Sequence, residues 1–290
     1  MRLAWLQLAT AMALVGANVA VAKLLAQALP IPLIACLRCA LACLVLWPLA
    51  RAWEGRVTVA PRALGNLWWQ AVFGTALYNA GLLAGLRHTS ALEAGLVLAA
   101  LPAVVGLGSA LWRRERLAPR LWAAVALASC GMAGLTLARA GAADGSALGN
   151  ALVFAGLCGE AIYVLLAKRL AGQVPVITAS LWMQVFSALV LLPFALPGLG
   201  AVAALADARL AGLLVLHSLT ASVLCLLLWY SGLRRVPAGV AGVFTAFLPA
   251  SAAVVAVGVL GEAFSVLHAV GFALMLGSLL LATWPERGRG

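Results

Sequence analysis

The residues GLRHTSALEAGLVLAALPA at 85–103 and GLRRVPAGVAGVFTAFLPA at 232–250 lie 147 positions apart and are identical at ten of 19 places. Ala and Leu matches come cheaply in this composition. The weight rests on Gly85 with Gly232, Arg87 with Arg234, Gly95 with Gly242 and Pro102 with Pro249. The same register reaches Glu115 and Glu262, each 13 residues past its proline. Earlier in each half the offset is 145, pairing Lys23 with Lys168 and Pro48 with Pro193, so a loop absorbs two residues. A match near half the chain length says that one unit is built twice.

Composition says what the unit is. The 290 residues are 65% hydrophobic and 9% charged, with a mean hydropathy of +1.10. A soluble domain is about 45–50% apolar and about 25% charged. No water-soluble interior hides that excess, which excludes an ordinary cytosolic enzyme, a nucleic-acid-binding domain and a disordered chain. An integral membrane protein remains. Cutting at charged, Pro-rich and Gly-rich breaks gives ten apolar stretches: 3–26, 31–50, 63–85, 91–112, 118–138, 147–170, 175–195, 206–232, 237–259 and 262–283. Each reaches the roughly 20 residues that a membrane helix needs. The runs are continuous, rich in Ala and Leu and without dyad alternation, so they read as helices and not as barrel strands. The first stretch also has signal-peptide features, with Arg2 before the run and Ala20-Val21-Ala22 as a cleavable site. Its repeat partner in the second half favours a retained span. The expected fold is therefore all-α, with five spans in 1–140 and five in 141–290.

Five is odd, so the second unit enters the bilayer from the opposite side. Equivalent residues then face opposite ways, Arg87 outside and Arg234 inside. With the N-terminus in the cytoplasm, 14 Lys and Arg fall in inside segments and only Arg87, Arg139 and Arg209 in outside loops. That bias places both termini in the cytoplasm and accounts for most of the net charge of +11. Inverted repeats are the architecture of many secondary transporters, because exchanging the conformations of the halves moves the opening from one side to the other.

The pattern resembles the drug/metabolite transporter superfamily, in its ten-helix EamA type. The resemblance rests on Gly16, Asn18 and Lys23 in span one and Arg38 in span two. It rests also on the Gly…Pro run of spans four and nine and the Glu before each following span. Within that type it is most similar to the YddG-type aromatic amino-acid exporters. The resemblance implies a cavity lined mainly by spans 1, 3, 4, 6, 8 and 9, with 5 and 10 peripheral. Met183 and Tyr163 stand at the repeat positions of Arg38 and Asn18, so the halves are not chemically symmetric there.

Polar groups inside a bilayer cost free energy and need a reason. Asn18, Gln184, His217 and Thr245 fall near mid-span; Tyr78 and Asn79 lie outward of it, Glu160 and Tyr163 inward. One reading is a cavity for an amphipathic solute, formed by Asn18, Tyr78, Asn79, Leu82, Tyr163 and His217. The other is hydrogen bonding between packed helices, the better reading for Gln184. His217 is also a candidate proton carrier. Arg38 lies too deep to snorkel and suits Glu93 as partner, either structurally or to attract a substrate carboxylate; Lys23 lies nearer an end, where snorkelling suffices. Glu160, between Gly159 and Ala161, reads as a proton relay or as a partner of Lys168. Glu115 and Glu262 precede helix starts, where a carboxylate suits the dipole.

Pro102, Pro249, Gly95 and Gly242 are candidate gating hinges, since a proline removes a helix hydrogen bond and can bend the span. Gly81 and Gly85, four apart, form a small face for close helix approach. Cys36, Cys39 and Cys43 share a helix face and read as small apolar packing, with no metal site expected. Most Trp fall near span ends, as interface anchors do. A serine hydrolase using Ser109 and His217 is disfavoured by depth and by the lack of an acidic orienter. No Walker loop occurs, so ATP-driven pumping by this chain is excluded. The expected partners are a small-molecule substrate, such as an amino acid, and the lipid bilayer of the inner membrane. No cofactor, metal or nucleic acid is expected, and the chain is expected to be a monomer or weak homodimer.

Overall fold

The computed structural model describes residues 2–55, 58–85, 87–88, 97–98, 100–112, 118–137, 147–258 and 266–283. Among them every regular element is helical, apart from an isolated bridge between Ala171 and Val174. The helices are α1 (Arg2–Leu25), α2 (Ile31–Trp53), α3 (Pro61–Ala71 continuing through Val72–Leu77 to Tyr78–Gly85), α4 (Leu101–Trp112) and α5 (Pro119–Leu137). The second half holds α6 (Ala147–Leu170), α7 (Val176–Ala195, running into a 3-10 segment Leu196–Ala206) and α8 (Ala208–Leu233). It ends with α9 (Ala238–Phe244 and Phe247–Gly258) and α10 (Val266–Thr283). Ile31–Trp53, Ala147–Leu170, Val176–Ala206 and Ala208–Leu233 are each long and apolar enough to cross a bilayer. Leu44, Leu111 and Val266 are more than 70% exposed on the outside of the bundle, a surface suited to hydrocarbon and not to water.

Local chemistry sets the helix ends. Pro61 and Pro119 open α3 and α5, while Pro175 and Pro237 cap α7 and α9. A fixed φ and a missing N–H cost nothing in a first turn. Asp207 Oδ1 accepts from Arg209 N at 2.7 Å to start α8. Helices α2 and α6 run out into Gly55 (φ 78°) and Gly172 (φ 87°), the left-handed stop that glycine tolerates best.

The prolines of the repeat coincide with breaks. In α9 the helix interrupts at Thr245 and Ala246, and the Thr245 hydroxyl turns back to Gly242 O at 2.6 Å. Pro249 has no N–H to give the Thr245 carbonyl, so an α-helical bond is missing at that point. In the first half, Ala100 sits in a turn, its N–H on Val97 O at 3.0 Å, just ahead of Pro102 in the first turn of α4. Glu93, Gly95, Glu115 and Glu262, with the side chains of Lys23 and Pro249, lie outside the described residues.

The packing partners follow a rule. Helix α1 packs on α8 and α9, and α6 packs on α3 and α4; α2 packs on α7, α5 on α10 and α4 on α9. Replacing each helix by the one five places along the chain reproduces the same set. The small face of α3 meets α6 at backbone distance: a Cβ on Gly81 would stand 2.7 Å from Gly156 N and from Leu152 O. A Cβ on Gly232, the repeat partner of Gly85, would stand 2.7 Å from Leu8 Cγ on α1.

Arg51, Arg62, Arg169, Arg234 and Arg235 are exposed at one end of the bundle, its basic end. Two sets of bonds tie the helices there. The Glu54 carboxylate accepts from Ile177 N (2.9 Å), Thr178 N (2.7 Å) and Thr178 Oγ1 (2.8 Å), capping α7 from the far half of the chain. Lys168 Nζ donates to Leu233 O at 2.6 Å, so the ammonium lies with α8 and not with Glu160, the partner its sequence position suggests. A lysine next to a helix C-terminus gains from the carbonyls exposed there, whereas Glu160 lies two turns back. Replacing Glu54 by Ala removes an N-terminal cap, and should cost about 1–2 kcal/mol. The midpoint of unfolding in detergent measures it, with Glu54→Gln intermediate.

Candidate functional site

The polar residues of the spans gather where α3 and α8 depart from regular α-helix. Both contain a π-helical stretch, Val72–Leu77 and Ser218–Leu224, and the first maps onto the second at the repeat offset. A π turn holds an extra residue, re-aims the side chains that follow and is frequent at functional sites.

Around the α8 stretch, four helices converge. Asn18 of α1, 6% exposed, donates from Nδ2 to Leu14 O at 2.8 Å, which turns its Oδ1 toward α8. That oxygen lies 2.9 Å from His217 Nδ1 and 2.9 Å from Thr220 Oγ1. An amide oxygen only accepts, so His217 carries a proton on Nδ1, and Nε2 remains as the ring's other polar atom. Ser218 Oγ donates to Arg38 O of α2 at 2.8 Å, and Gln184 Nε2 of α7 donates to Ser222 O at 2.9 Å. Gln184 thus joins helices, in keeping with its sequence reading. No described acid pairs with the Arg38 guanidinium; its expected partner Glu93 lies outside the described residues.

Around the α3 stretch, the Thr75 and Ser187 hydroxyls are 3.0 Å apart, and Asn79 Nδ2 donates to Thr75 O at 2.6 Å. Asn79 lines a pocket of about 110 Å³ between α2, α3 and α7, with Pro32, Ala35 and Leu191. The backbone of its neighbour Tyr78 lies against α6, with Tyr78 O and Leu82 N beside Gly156, and the Tyr78 hydroxyl is within electrostatic reach of Glu160 on that helix. Consecutive helical residues point about 100° apart. The structure therefore separates Asn79 from Tyr78. The Tyr163 ring packs on Gly74, where a Cβ would stand 2.7 Å from its Cγ. Glu160, half-buried, lies within electrostatic reach of the Tyr78 and Tyr163 hydroxyls.

A separate groove of about 760 Å³ runs between α1, α9 and α10, lined by Leu14, Ala17, Phe247, Val254, Phe272 and their neighbours. The Cys36 and Cys39 side chains are buried in an apolar cluster with Leu33, Leu191 and Leu214. Ser109 Oγ donates to Gly106 O at 2.9 Å while His217 is engaged by Asn18, so the two groups of the hydrolase reading are held by different partners.

Depth within the spans singles out Asn18, His217 and Gln184 but passes over Thr220, Thr75, Ser187, Gln70 and Tyr230. Hydroxyl residues look ordinary in a helix, since they can bond the carbonyl one turn back. The available signal was the offset of 147, which sets Gln70 on His217.

A bundle of helices with an apolar outer surface and a buried polar seam, as the described residues form, is the form of a multi-pass membrane protein. A model of the EamA-like transporter family matches residues 2–137 and again 147–284, and the chain belongs to that family, within the drug/metabolite transporter superfamily. It is 34% identical over 289 residues to the "Uncharacterized transporter YetK" of Bacillus subtilis (strain 168), covering 98% of this chain and 88% of that one. A solved structure described only as "Crystal structure of protein" superposes with a TM-score of 0.79 at 22% identity, over 97% of this chain and 96% of that one. That likeness concerns the fold alone.

Proposed function

We propose that this membrane transporter exports small amphipathic metabolites, foremost amino acids with apolar or aromatic side chains. It does so by alternating access between two inverted five-helix repeats, 1–140 and 141–290. In this reading ten helices span the inner membrane and both termini are cytoplasmic, so the basic end is the inner one. The solute binds among Asn18, Tyr78, Leu82, Tyr163 and His217, with Asn79 on the flank. Arg38 and Glu160 supply charge or coupling, and the breaks ahead of Pro102 and Pro249 act as hinges.

The observation that carries the reading is the exchange symmetry of the packing. Every described helix pair named above has a counterpart five helices along, the π stretches recur at the same offset, and a turn precedes each of the two matched prolines. A molecule built this way has two related conformations available, which is what alternating access requires. Support for an amphipathic solute comes from aromatic rings beside hydrogen-bonding groups on α1, α3, α6 and α8.

A substrate panel tests it. Purified protein in liposomes should move labelled phenylalanine, tryptophan and leucine with saturation, and with a rate that either follows or ignores an imposed pH gradient. Absence of flux for every amino acid in the panel would sink the substrate assignment.

A further inference from the structure

The inner halves of the helices that carry the site close against one another at the basic end. Leu8 of α1, Leu67 of α3, Val164 of α6, and Trp229 and Leu233 of α8 are each at most 1% exposed. Inside this apolar seal sits one hydrogen-bonded relay. Tyr230 of α8 donates to Gln70 Oε1 of α3 at 2.6 Å, and Gln70 Nε2 donates to Asn66 Oδ1 at 2.6 Å. Gln70 is fully buried and Tyr230 is 3% exposed.

The Gln70–Tyr230 bond joins helices of the two halves, as the Asn18–His217 bond does. Gln70 and His217 are repeat partners, each the tenth residue of its helix, α3 or α8. Helix α3 starts at the basic end and α8 at the other, so the two bonds fall on opposite sides of the bundle's middle. One cross-half bond thus stands on the way to each face.

Resting on the alternating-access reading, we propose that Gln70 and Tyr230 form the inner gate latch, with Asn18 and His217 its outer counterpart. A polar pair suits a gate that must open. In the closed seal the two groups satisfy each other, and in the open state water satisfies both, so neither of the two is orphaned in either state. An all-apolar seal would resist hydration. The two residues position the gate and need not touch the solute.

The physics gives a test in which single and double substitutions act in opposite directions. Tyr230→Phe leaves the Gln70 oxygen unpaired in the closed seal only, and so favours opening. Gln70→Leu with Tyr230→Phe removes both polar groups, and so favours closure. Buried Cys225 on α8 serves as reporter once the other five cysteines are replaced by Ala. Its labelling by a membrane-impermeant maleimide is timed in inside-out and right-side-out vesicles. Labelling from the basic end should rise at least fivefold in Tyr230→Phe, and return to or below the starting rate in the double variant. An unchanged rate in Tyr230→Phe overturns the proposal, as does a double variant that labels like the single one. A rise at both faces alike marks the bond as merely structural, and also overturns it. Because labelling needs no solute, it stands apart from the substrate panel: a moving gate without amino-acid flux would count against the substrate alone.

Discussion

Asn18→Ala should lower the initial transport rate at least tenfold while leaving a folded, membrane-inserted protein. Its side-chain oxygen is a shared acceptor, 2.9 Å from both His217 Nδ1 and Thr220 Oγ1. Removing it strands the imidazole N–H among apolar helices, and a buried donor left unpaired costs about 1–3 kcal/mol. That penalty falls on the closed state; the loss of rate comes from the solute site that Asn18 shares, where tenfold corresponds to roughly 1.4 kcal/mol of lost solute or transition-state stabilisation. Thr220 has a second acceptor in Leu216 O, at 2.7 Å. Thr220→Val should therefore cost less than Asn18→Ala, about twofold to threefold in rate, in line with the roughly 0.6 kcal/mol average of interhelical hydrogen bonds in membranes. Proteoliposome uptake, scored beside a detergent melting curve for each variant, separates lost transport from lost fold. Equal effects at the two positions would contradict the shared-acceptor geometry.

A second large effect is expected on stability, at Gly81. A methyl group there would stand 2.7 Å from Gly156 N and from Leu152 O, backbone atoms that cannot rotate aside. Gly81→Ala should therefore push α3 from α6 and cost about 1–3 kcal/mol, the usual range for overpacking. A methyl group on Gly277 of α10 would meet nothing within 4 Å, and relief of chain entropy should make Gly277→Ala neutral or stabilising by up to about 1 kcal/mol. Unfolding midpoints in detergent should differ in this order. If both substitutions proved neutral, the α3–α6 contact would have to be looser than the structure has it.

Several features of the fold are legible in the chain itself. The alternation of apolar runs and breaks anticipates the helical tracts closely: the stretch 31–50 becomes α2 at Ile31–Trp53, and the stretch 147–170 becomes α6 over the same residues. Continuous hydrophobicity is a local property, so a window of sequence suffices to detect it. The small face at Gly81 and Gly85 is equally visible, because four-residue spacing puts both on one side of a helix. Lys168 escapes such a reading for the opposite reason. Its sequence neighbour Glu160 offers a plausible partner, but the carbonyl of Leu233, 65 residues away, takes its ammonium.

By itself the sequence determined that this chain is helical, bilayer-seeking and built twice, since composition, run length and repeat offset need no partner to be read. Only the tertiary structure decided which polar groups meet. Asn18 lies 199 residues from His217, and Gln70 lies 160 from Tyr230. A short polar side chain gains its hydrogen bond within about 3 Å, and no local pattern encodes a separation of that kind. Helix packing had first to bring α1 against α8, and α3 within reach of it, before the same few polar atoms became a seam and a latch.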